Sequence, residues 1–572
     1  MSGRLRSTLV LVVCLALAFA MVGGAAGCAA KKTDTTEKPA TDEPVKGGTL
    51  RYYVGEPAYI DPYNTQESEG TQVEQALFDS LTAFDALDAS KIIPAAAESW
   101  QPNADATVWT FKLRADGKFA DGTPVTAQDF VYAWNRIANP KTLNTGTGKA
   151  DPSVISYHLG AVKGYGDVQA GKATEMSGVK AIDDTTLEVT LTYAFADFEY
   201  VVAHPALAPV PKALVEGGVD YNGAKVPFGD MPIGNGPFKM AEPWKHGQYI
   251  KTVANENYAG DAPLLDGIEF RSFKDPDTAY LEFEGGNLDF AQIGEGKIDD
   301  AKTKYGVSSN GYTVQPGKQA LLGAENSVYY LLINTPDPFF KNPDVRKAVS
   351  LAINRQAICD TIFSSTREPA DNIIPPGIAG YEKGVWADSV YDVAAAKKAL
   401  ADAGYPDGTG APQFGLSFNA DGGHQKIMEL VQSDLAVIGL KAKIDSTPDF
   451  ATYLKQLDAG KVQIGRLGWS ADYPIADNFL YPLFLSTSTD NYSKYANTEI
   501  DKQMVDARKI TDGAERIKAW QAIDKTIGEA LPVIPVMFYK HHHVGSERVH
   551  DLTYSAMNLA DFPKAWLTGG GK

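Results

Sequence analysis

The stretch TVWTFKLRADGKFADGTPVTAQDFVYAWNR, Thr107–Arg136, decides the fold of the region around it. Its opening residues alternate polar with apolar side chains, which predicts a strand with one buried face. Two Asp-Gly pairs then predict tight turns. Thr126 and Asp129 have the spacing of a helix N-cap and its reciprocal partner. The helix after them has an apolar face, made of Phe130, Val131, Trp134 and Ile137. Strand, turn and amphipathic helix in this order indicate a mixed α and β structure.

The N-terminal end has the layout of a bacterial export signal. Two early arginines precede the apolar run Leu9–Val22, which is long enough for a signal core and short for a spanning helix. Ala25–Cys28 resembles a lipobox, the pattern at which a bacterial cysteine is lipidated. We expect residues 1–27 to be a lipoprotein signal peptide and Cys28 to carry the lipid; an uncleaved anchor or ordinary secretion is the alternative. Residues 28–47 are rich in Thr, Lys, Asp, Glu and Pro and are expected to be a disordered spacer.

The cysteines and the net charge of −18 narrow the possible functions. Cys14 lies in the signal and Cys28 at the lipid site, so Cys359 has no partner for an internal disulfide. Its apolar, helical surroundings predict a buried and unreactive thiol. The negative charge argues against nucleic acid and against an anionic membrane surface as partners. It does not identify a ligand.

Helix and strand patterns both recur along the chain, which predicts the α/β class. Tyr329–Asn334 (YYLLIN) is a candidate buried strand. Helices are predicted after Asn342, over Tyr391–Ala403 and over Gln425–Ile438, where apolar residues recur at helical spacing. No linker divides the globular part into sequential domains.

The stretch Thr107–Arg136 closely resembles the hallmark segment of family 5 of the bacterial extracellular solute-binding proteins, the peptide-binding receptors of ABC importers. Other segments resemble the family in the same order: Gly234–Phe238, Phe283–Asp289, Asn342–Ala348, Ala352–Arg355 and Ala403–Gly408. The resemblance implies an α/β, two-lobed periplasmic-binding-protein-like fold of the cluster C type, with an extra domain and a ligand cleft between the lobes. It places lobe one at 48–78, 200–318 and 540–572, the extra domain at 79–199, and lobe two at 319–539.

The same resemblance places the ligand at Arg466–Tyr473, RLGWSADY, after a short strand predicted over Val462–Leu467. It implies that Asp472 holds the α-ammonium of a peptide, because a buried ammonium needs a fixed carboxylate. Arg466 would meet the C-terminal carboxylate through its bidentate fork, and Trp469 would supply a flat wall and a donor. The other predicted contacts here are Gly468, Ser470, Ala471 and Tyr473. The alternative is that Asp472 and Arg466 pair with each other or with neighbours, and that Trp469 belongs to the core.

Two further segments are expected to line the cleft. By the same resemblance, Glu67, Ser68 and Glu69 occupy a lobe-one loop that pairs with the peptide backbone, and Asn491 and Tyr492 offer polar groups to it. An extended ligand bound like an added strand has its backbone satisfied whatever its side chains. This arrangement predicts a receptor that tolerates many peptide sequences.

The rival class is an extracellular hydrolase that uses pairs of Asp or Glu. The sequence has no H-E-x-x-H, C-x-x-C or G-x-S-x-G motif, so we expect no enzyme and no cofactor. His541–His543 suggests a metal site, but consecutive strand residues alternate faces. We therefore expect a solvent-exposed strand there and no metal.

Taken together, these features predict a substrate-binding lipoprotein of an ABC importer, which closes its lobes on a peptide. Its expected place is the outer face of the cytoplasmic membrane, held by lipid. The expected partners are short peptides and the ABC permease subunits, with no nucleic acid, and the protein is expected to be a monomer. The alternative is the same fold with a non-peptide ligand, such as a nickel chelate, haem or a sugar, or with signalling peptides.

Overall fold

The strand and the helix predicted within Thr107–Arg136 both form. In the computed structural model the strand is Val108–Leu113 and the helix is Ala127–Ala138. The carboxylate of Asp129 accepts a hydrogen bond from the backbone N–H of Thr126 at 2.8 Å, which is the reciprocal half of the predicted cap. The local signals of this stretch therefore suffice to specify its secondary structure.

The structure describes residues 43–569, except for 66, 365, 421–423, 449 and 489. The predicted signal peptide, Cys28 and the spacer up to residue 42 lie outside the described residues. In the described part of the chain, every helix is too short or too polar to span a bilayer.

The strands follow one another along the whole described chain. They are β1 (Thr49–Val54), β2 (Thr82–Phe84), β3 (Ile92–Pro94), β4 (Ala97–Pro102), β5 (Val108–Leu113), β6 (Val179–Asp183), β7 (Thr186–Thr190), β8 (Val219–Tyr221), β9 (Ala224–Val226), β10 (Phe238–Met240), β11 (Tyr249–Ala254), β12 (Gly267–Ser272), β13 (Phe290–Gln292), β14 (Ala320–Leu321), β15 (Ala324–Ile333), β16 (Glu368–Pro369), β17 (Phe414–Asn419), β18 (Ala442–Thr447), β19 (Ile464–Ser470), β20 (Val533–Lys540), β21 (His543–Gly545), β22 (Val549–His550), β23 (Thr553–Tyr554), β24 (Ala560–Asp561) and β25 (Trp566–Leu567).

The helices are interspersed among these strands, as expected of a mixed α and β chain. They are α1 (Ser68–Leu77), α2 (Ala127–Ala138), α3 (Tyr165–Gln169), α4 (Phe198–Val201), α5 (Lys212–Gly217), α6 (Pro276–Glu284), α7 (Ile298–Tyr305), α8 (Pro343–Ala352), α9 (Arg355–Phe363), α10 (Val393–Asp402), α11 (Gln425–Val437), α12 (Phe450–Asp458), α13 (Asp477–Phe484), α14 (Thr498–Ala507) and α15 (Gly513–Ala530). The helices predicted after Asn342, over Tyr391–Ala403 and over Gln425–Ile438 are α8, α10 and α11.

Three larger sheets organise the chain. A seven-stranded sheet in the order β10-β11-β12-β1-β13-β21-β14 forms what we call lobe one, and a six-stranded sheet in the order β16-β20-β15-β19-β17-β18 forms lobe two. A four-stranded sheet, β4-β5-β7-β6, forms the extra domain. The extra domain and lobe one share one hydrophobic core, so these two parts are expected to move together.

The chain crosses between lobe one and lobe two at residues 322–323, between β14 and β15, and again at 541–542, between β20 and β21. The two crossings lie side by side: the N–H of His541 donates to the carbonyl of Gly323 at 3.1 Å, and the N–H of Gly323 donates to Nε2 of His541 at 3.0 Å. His541 and His542 are only 2% and 4% exposed. The expectation of a solvent-exposed strand at His541–His543 is therefore wrong, because this tripeptide forms a packed crossing.

The described residues contain no group of three or more side chains suited to hold a metal ion. Cys359, expected to be buried, is a free buried thiol, and burial raises its pKa to about 12. Such a thiol is largely protonated and unreactive at neutral pH.

Strand β15 contains the predicted Tyr329–Asn334 strand except for its last residue, and it is buried on both faces. Tyr329, Leu331 and Ile333 pack on one side of the sheet, while Val328, Tyr330 and Leu332 pack on the other. A strand covered on both faces reads as a continuous apolar run.

The strand predicted over Val462–Leu467 is β19, and its predicted end is wrong by three residues. Ser327 of β15 lies opposite Ser470, and Val328 opposite Trp469, so pairing with β15 extends the strand. The loop that follows therefore begins at Ala471.

Candidate ligand-binding site

Asp472 lies in the loop after β19, where the amide of Asn478 holds it. Its backbone N–H donates to Oδ1 of Asn478 at 3.0 Å, and its Oδ2 accepts from Nδ2 of Asn478 at 3.1 Å. The indole Nε1 of Trp469 donates to the same Oδ1 at 3.1 Å. One amide side chain in the first turn of α13 thus fixes both the backbone and the carboxylate of Asp472.

Tyr157 of the extra domain reaches the same carboxylate from across the fold. Its hydroxyl donates to Oδ1 of Asp472 at 3.2 Å. The ring of Tyr157 packs on His158, with ring centroids 4.3 Å apart, and His158 packs on His204 at 4.7 Å. Asp472 therefore lies where lobe two meets the extra domain, among aromatic rings.

The surroundings of Asp472 leave its negative charge poorly compensated. Burial raises its pKa, while hydrogen bonds from Asn478 and Tyr157 and the nearby His204 oppose the rise. Burial lowers the pKa of His158 and of His204 to about 3, so both rings are neutral at neutral pH. The groups that act on the carboxylate thus include no formal cation, and a ligand cation would supply the missing charge.

Arg466 lies in β19 and does not pair with Asp472. Its Nε and Nη2 donate to Oδ1 of Asn419 at 2.8 and 2.5 Å, and its guanidinium lies 5.1 Å from the ring centre of Phe450. Among the described residues, Arg466 forms no ion pair with a carboxylate. Asn419 and Phe450, rather than Asp472, are therefore the partners that orient this guanidinium.

A cavity of about 690 Å³ opens in lobe two near Arg466. Its wall includes Tyr329 and Tyr539. Burial raises the pKa of both tyrosines, and the positive charge of Arg466 partly opposes this rise. Arg367 also lines the cavity, with its guanidinium 4.8 Å from the ring centre of Tyr539, and its buried Nε has no hydrogen-bond partner among the residues that the structure describes. His424, Lys426 and Glu429 also line the cavity, so its wall carries charges of both signs. Sequence reasoning missed Arg367 and Tyr157, because neither stands in a local pattern that suggests a ligand.

The remaining predicted residues of the Arg466–Tyr473 segment surround Asp472 by chain proximity. Gly468 packs close to the carbonyl of Val328, and the Ser470 hydroxyl accepts from Ser327 at 3.0 Å. The N–H of Ala471 donates to the carbonyl of Asn326 at 2.9 Å. Tyr473 is 9% exposed and packs into the core shared by lobe one and the extra domain. This loop thus joins lobe two to the opposite side of the fold.

The other two segments predicted to line the cleft are Glu67–Glu69 and Asn491–Tyr492. Oε1 of Glu67 accepts from the backbone N–H groups of Ala58 and Tyr59 at 2.8 and 3.3 Å, so its side chain stabilises its own loop. Ser68 and Glu69 open α1. Nδ2 of Asn491 donates to the carbonyls of Leu485 and Tyr495 at 3.2 and 2.7 Å, while Tyr492 is partly exposed. Ligand contacts from these residues stay predictions.

Comparison with known proteins agrees with this architecture. The model of the bacterial extracellular solute-binding proteins, family 5 Middle, matches residues 91–491. The chain belongs to this family. Members are exported solute-binding proteins associated with ABC transporters, not enzymes.

Relatives and solved structures extend the match to most of the chain. The periplasmic oligopeptide-binding protein OppA of Escherichia coli is 30% identical over 497 residues, which cover 84% of this chain and 85% of that protein. The structure of Haemophilus influenzae OppA in complex with RPPGFSPFR has a TM-score of 0.68 at 26% identity, covering 91% of this chain and all of that one. The unliganded open form of MppA, a periplasmic murein tripeptide binding protein, has a TM-score of 0.74 at 26% identity, covering 92% and 99%. The two-lobed α/β fold predicted for the chain is confirmed.

Proposed function

We propose that this protein binds short peptides beside Asp472 and delivers them to the permease of an ABC importer. The observation that carries the proposal is the Asp472 carboxylate, which is fixed by Asn478 and Tyr157 and has no Lys or Arg partner among the described residues. A peptide α-ammonium supplies that cation, and relatives named for oligopeptide binding support this choice of ligand.

The proposed site combines the predicted residues with those that the geometry adds. It comprises Asp472, Arg466, Trp469, Gly468, Ser470, Ala471, Tyr473, Glu67, Ser68, Glu69, Asn491 and Tyr492, with Tyr157 beside Asp472 and Arg367 in the cavity. Arg466 and Arg367 would receive the carboxylate end of the ligand. The cavity of about 690 Å³ that Arg367 lines gives room for ligands of different length.

We further propose that Cys28 carries lipid, that the protein is a monomer on the outer face of the membrane, and that the lobes have the predicted boundaries. Those boundaries are 48–78, 200–318 and 540–572 for lobe one, 79–199 for the extra domain and 319–539 for lobe two. The seven-, four- and six-stranded sheets support them, since nearly every strand of each falls inside its own range.

Native mass spectrometry of the fragment that begins after Cys28, purified without denaturation, tests the ligand class. Bound masses that fragment as short peptides would support the proposal and report their lengths. Comparing tetra-alanine with N-acetyl-tetra-alanine then tests whether binding requires a free amino terminus. We expect tetra-alanine to bind and the acetylated peptide to bind little. A single non-peptide mass that resists exchange with peptides would keep the fold and overturn the ligand.

Acidification is expected to weaken peptide binding before the protein unfolds. Burial raises the pKa of Asp472 in the free protein, and binding of an ammonium requires the ionised form. The affinity for peptide is therefore at its maximum above this raised pKa, and it falls as the pH drops through the pKa. Calorimetric titration with tetra-alanine from pH 7.5 to 4.5 measures the decline. In the variant Asp472→Asn the residual affinity should not vary with pH over this range, and a slope equal to that of the wild type would contradict the assignment.

Replacing Arg466 by Gln is expected to weaken binding of free-acid peptides about tenfold, the effect of one charge-assisted hydrogen bond. Peptide amides should lose much less, because they carry no terminal carboxylate. Calorimetry with tetra-alanine and its C-terminal amide gives both affinities. The exposed Lys397→Gln in α10 is the control, because Lys397 is not among the residues that line the cavity. Equal losses for acid and amide would contradict a carboxylate contact at Arg466.

A further inference from the structure

Two arginines of lobe two contact one short segment of the extra domain, residues 193–197. Nη1 of Arg508 donates to the hydroxyl of Tyr193 at 3.0 Å, and its carbonyl accepts from the N–H of Ala196 at 3.2 Å. Nη2 of Arg516 donates to Oδ1 of Asp197 at 2.5 Å. These contacts join α14 and α15 to the chain between β7 and α4.

Arg508 is bound equally firmly within its own lobe. Its Nε and Nη2 donate to the two carboxylate oxygens of Asp477, both at 2.6 Å. The guanidinium lies 3.2 Å from the ring centre of Tyr481 and 4.7 Å from that of Phe195, one ring from each side of the junction. The side chains of Arg508 and Asp477 are only 6% and 0% exposed. A buried charge pair of this kind is costly to break, so it holds the Arg508 side chain in one position at the junction.

The junction shares a helix turn with the proposed ligand anchor. Asp477 and Asn478 are consecutive residues at the start of α13. Asp477 binds Arg508, whereas Asn478 binds the backbone and the carboxylate of Asp472. Any displacement of this turn therefore moves the partner of Arg508 and the support of Asp472 together.

The contact between lobe two and the extra domain is non-covalent at this point. The chain passes between lobe one and lobe two at 322–323 and 541–542, and the extra domain shares its core with lobe one. The lobes can therefore separate at Arg508 without breaking the chain, while the two crossings stay in place.

We propose that Arg508 is a latch residue, which fastens lobe two to Tyr193–Asp197 of the extra domain and thereby holds the first turn of α13, and with it Asp472, in its ligand-binding position. Arg508 is a positioning residue and touches no ligand. Arg516 and Asp197 form a second, outer contact of the same latch. The latch rests on the proposed function only in the measurement of peptide dissociation, since the hydrogen-exchange measurement needs no ligand.

Tyr193→Phe tests the latch with the smallest change, because it removes one hydroxyl and leaves the Arg508–Asp477 pair intact. In the ligand-free protein we expect faster hydrogen exchange, by about three- to tenfold, at two backbone amides. One is Ala196, whose acceptor is the Arg508 carbonyl, and the other is Asp472, whose acceptor is Asn478. Tetra-alanine should dissociate faster by a similar factor, with its association rate unchanged. Arg508→Lys, which keeps the charge but loses the fork, should show the larger effect if it folds.

Tyr200→Phe is the matched control, because its hydroxyl donates to the carbonyl of Ser90 inside the extra domain at 2.7 Å. It should leave both amides and the dissociation rate unchanged. Faster exchange at Ala196 with no change at Asp472 would overturn the coupling to the anchor, and unchanged exchange at both would overturn the latch. If the wild type binds no peptide, the proposed ligand fails, but the exchange measurements still decide the latch.

Discussion

Replacing Asp472 by Ala is expected to weaken peptide binding by about 2–5 kcal/mol, the usual loss when a buried charge loses its partner. The carboxylate is fixed by Asn478 and Tyr157, so it is already oriented before an ammonium arrives. Without it, the ammonium of the ligand would be desolvated and unpaired. Calorimetry with tetra-alanine at neutral pH measures the loss.

The folding stability of this variant should behave oppositely to its affinity. Burial raises the pKa of Asp472, so the ionised carboxylate costs free energy in the ligand-free protein. Its removal is expected to leave the unfolding midpoint equal or slightly higher. Asp434→Ala is the control for the loss of a carboxylate elsewhere in lobe two. The carboxylate of Asp434 accepts from the N–H of Asn354 at 2.8 Å. An Asp472→Ala protein that folds and retains wild-type affinity would refute the ammonium anchor.

Local sequence signals predicted the secondary structure of the hallmark stretch, but not the partners of the site. The capped helix at Thr126 and the alternating strand before it depend on residues within a few positions of one another. Tyr157 and Asp472, by contrast, are 315 positions apart, and only the packing of the extra domain against lobe two brings them together. No periodicity carries that information.

The errors have the same origin. The end of β19 depends on Ser327 in a distant strand, and the burial of His541 depends on the other crossing, at Gly323. The family resemblance supplied the order of the segments and the place of Asp472, whereas the pair Asp477–Arg508 has no signature in the sequence. Contacts between residues distant in sequence determine such strand ends, burial and ion pairs, so local sequence patterns cannot predict them.

Replacing Arg136 by Met is expected to lower the free energy of unfolding by about 3–5 kcal/mol, because it leaves Asp61 as an unpaired buried charge. Nη1 and Nη2 of Arg136 donate to Oδ1 and Oδ2 of Asp61 at 2.6 and 2.7 Å, and the two side chains are 6% and 2% exposed. The guanidinium also lies 4.2 Å from the ring centre of Tyr63. Urea unfolding at neutral pH measures the loss.

The double variant Asp61→Leu, Arg136→Met separates the cost of an unpaired charge from the worth of the pair. Since a buried ion pair can be replaced by apolar groups of similar size at little cost, we expect the double variant to regain most of the stability that the single variant loses. The pair joins the last turn of α2, in the hallmark stretch, to the loop that leads to Glu67. If the single variant lost less than about 1 kcal/mol of unfolding free energy, this would contradict a stabilising role for the pair in attaching that loop to the extra domain. A loss so small is typical of an exposed ion pair.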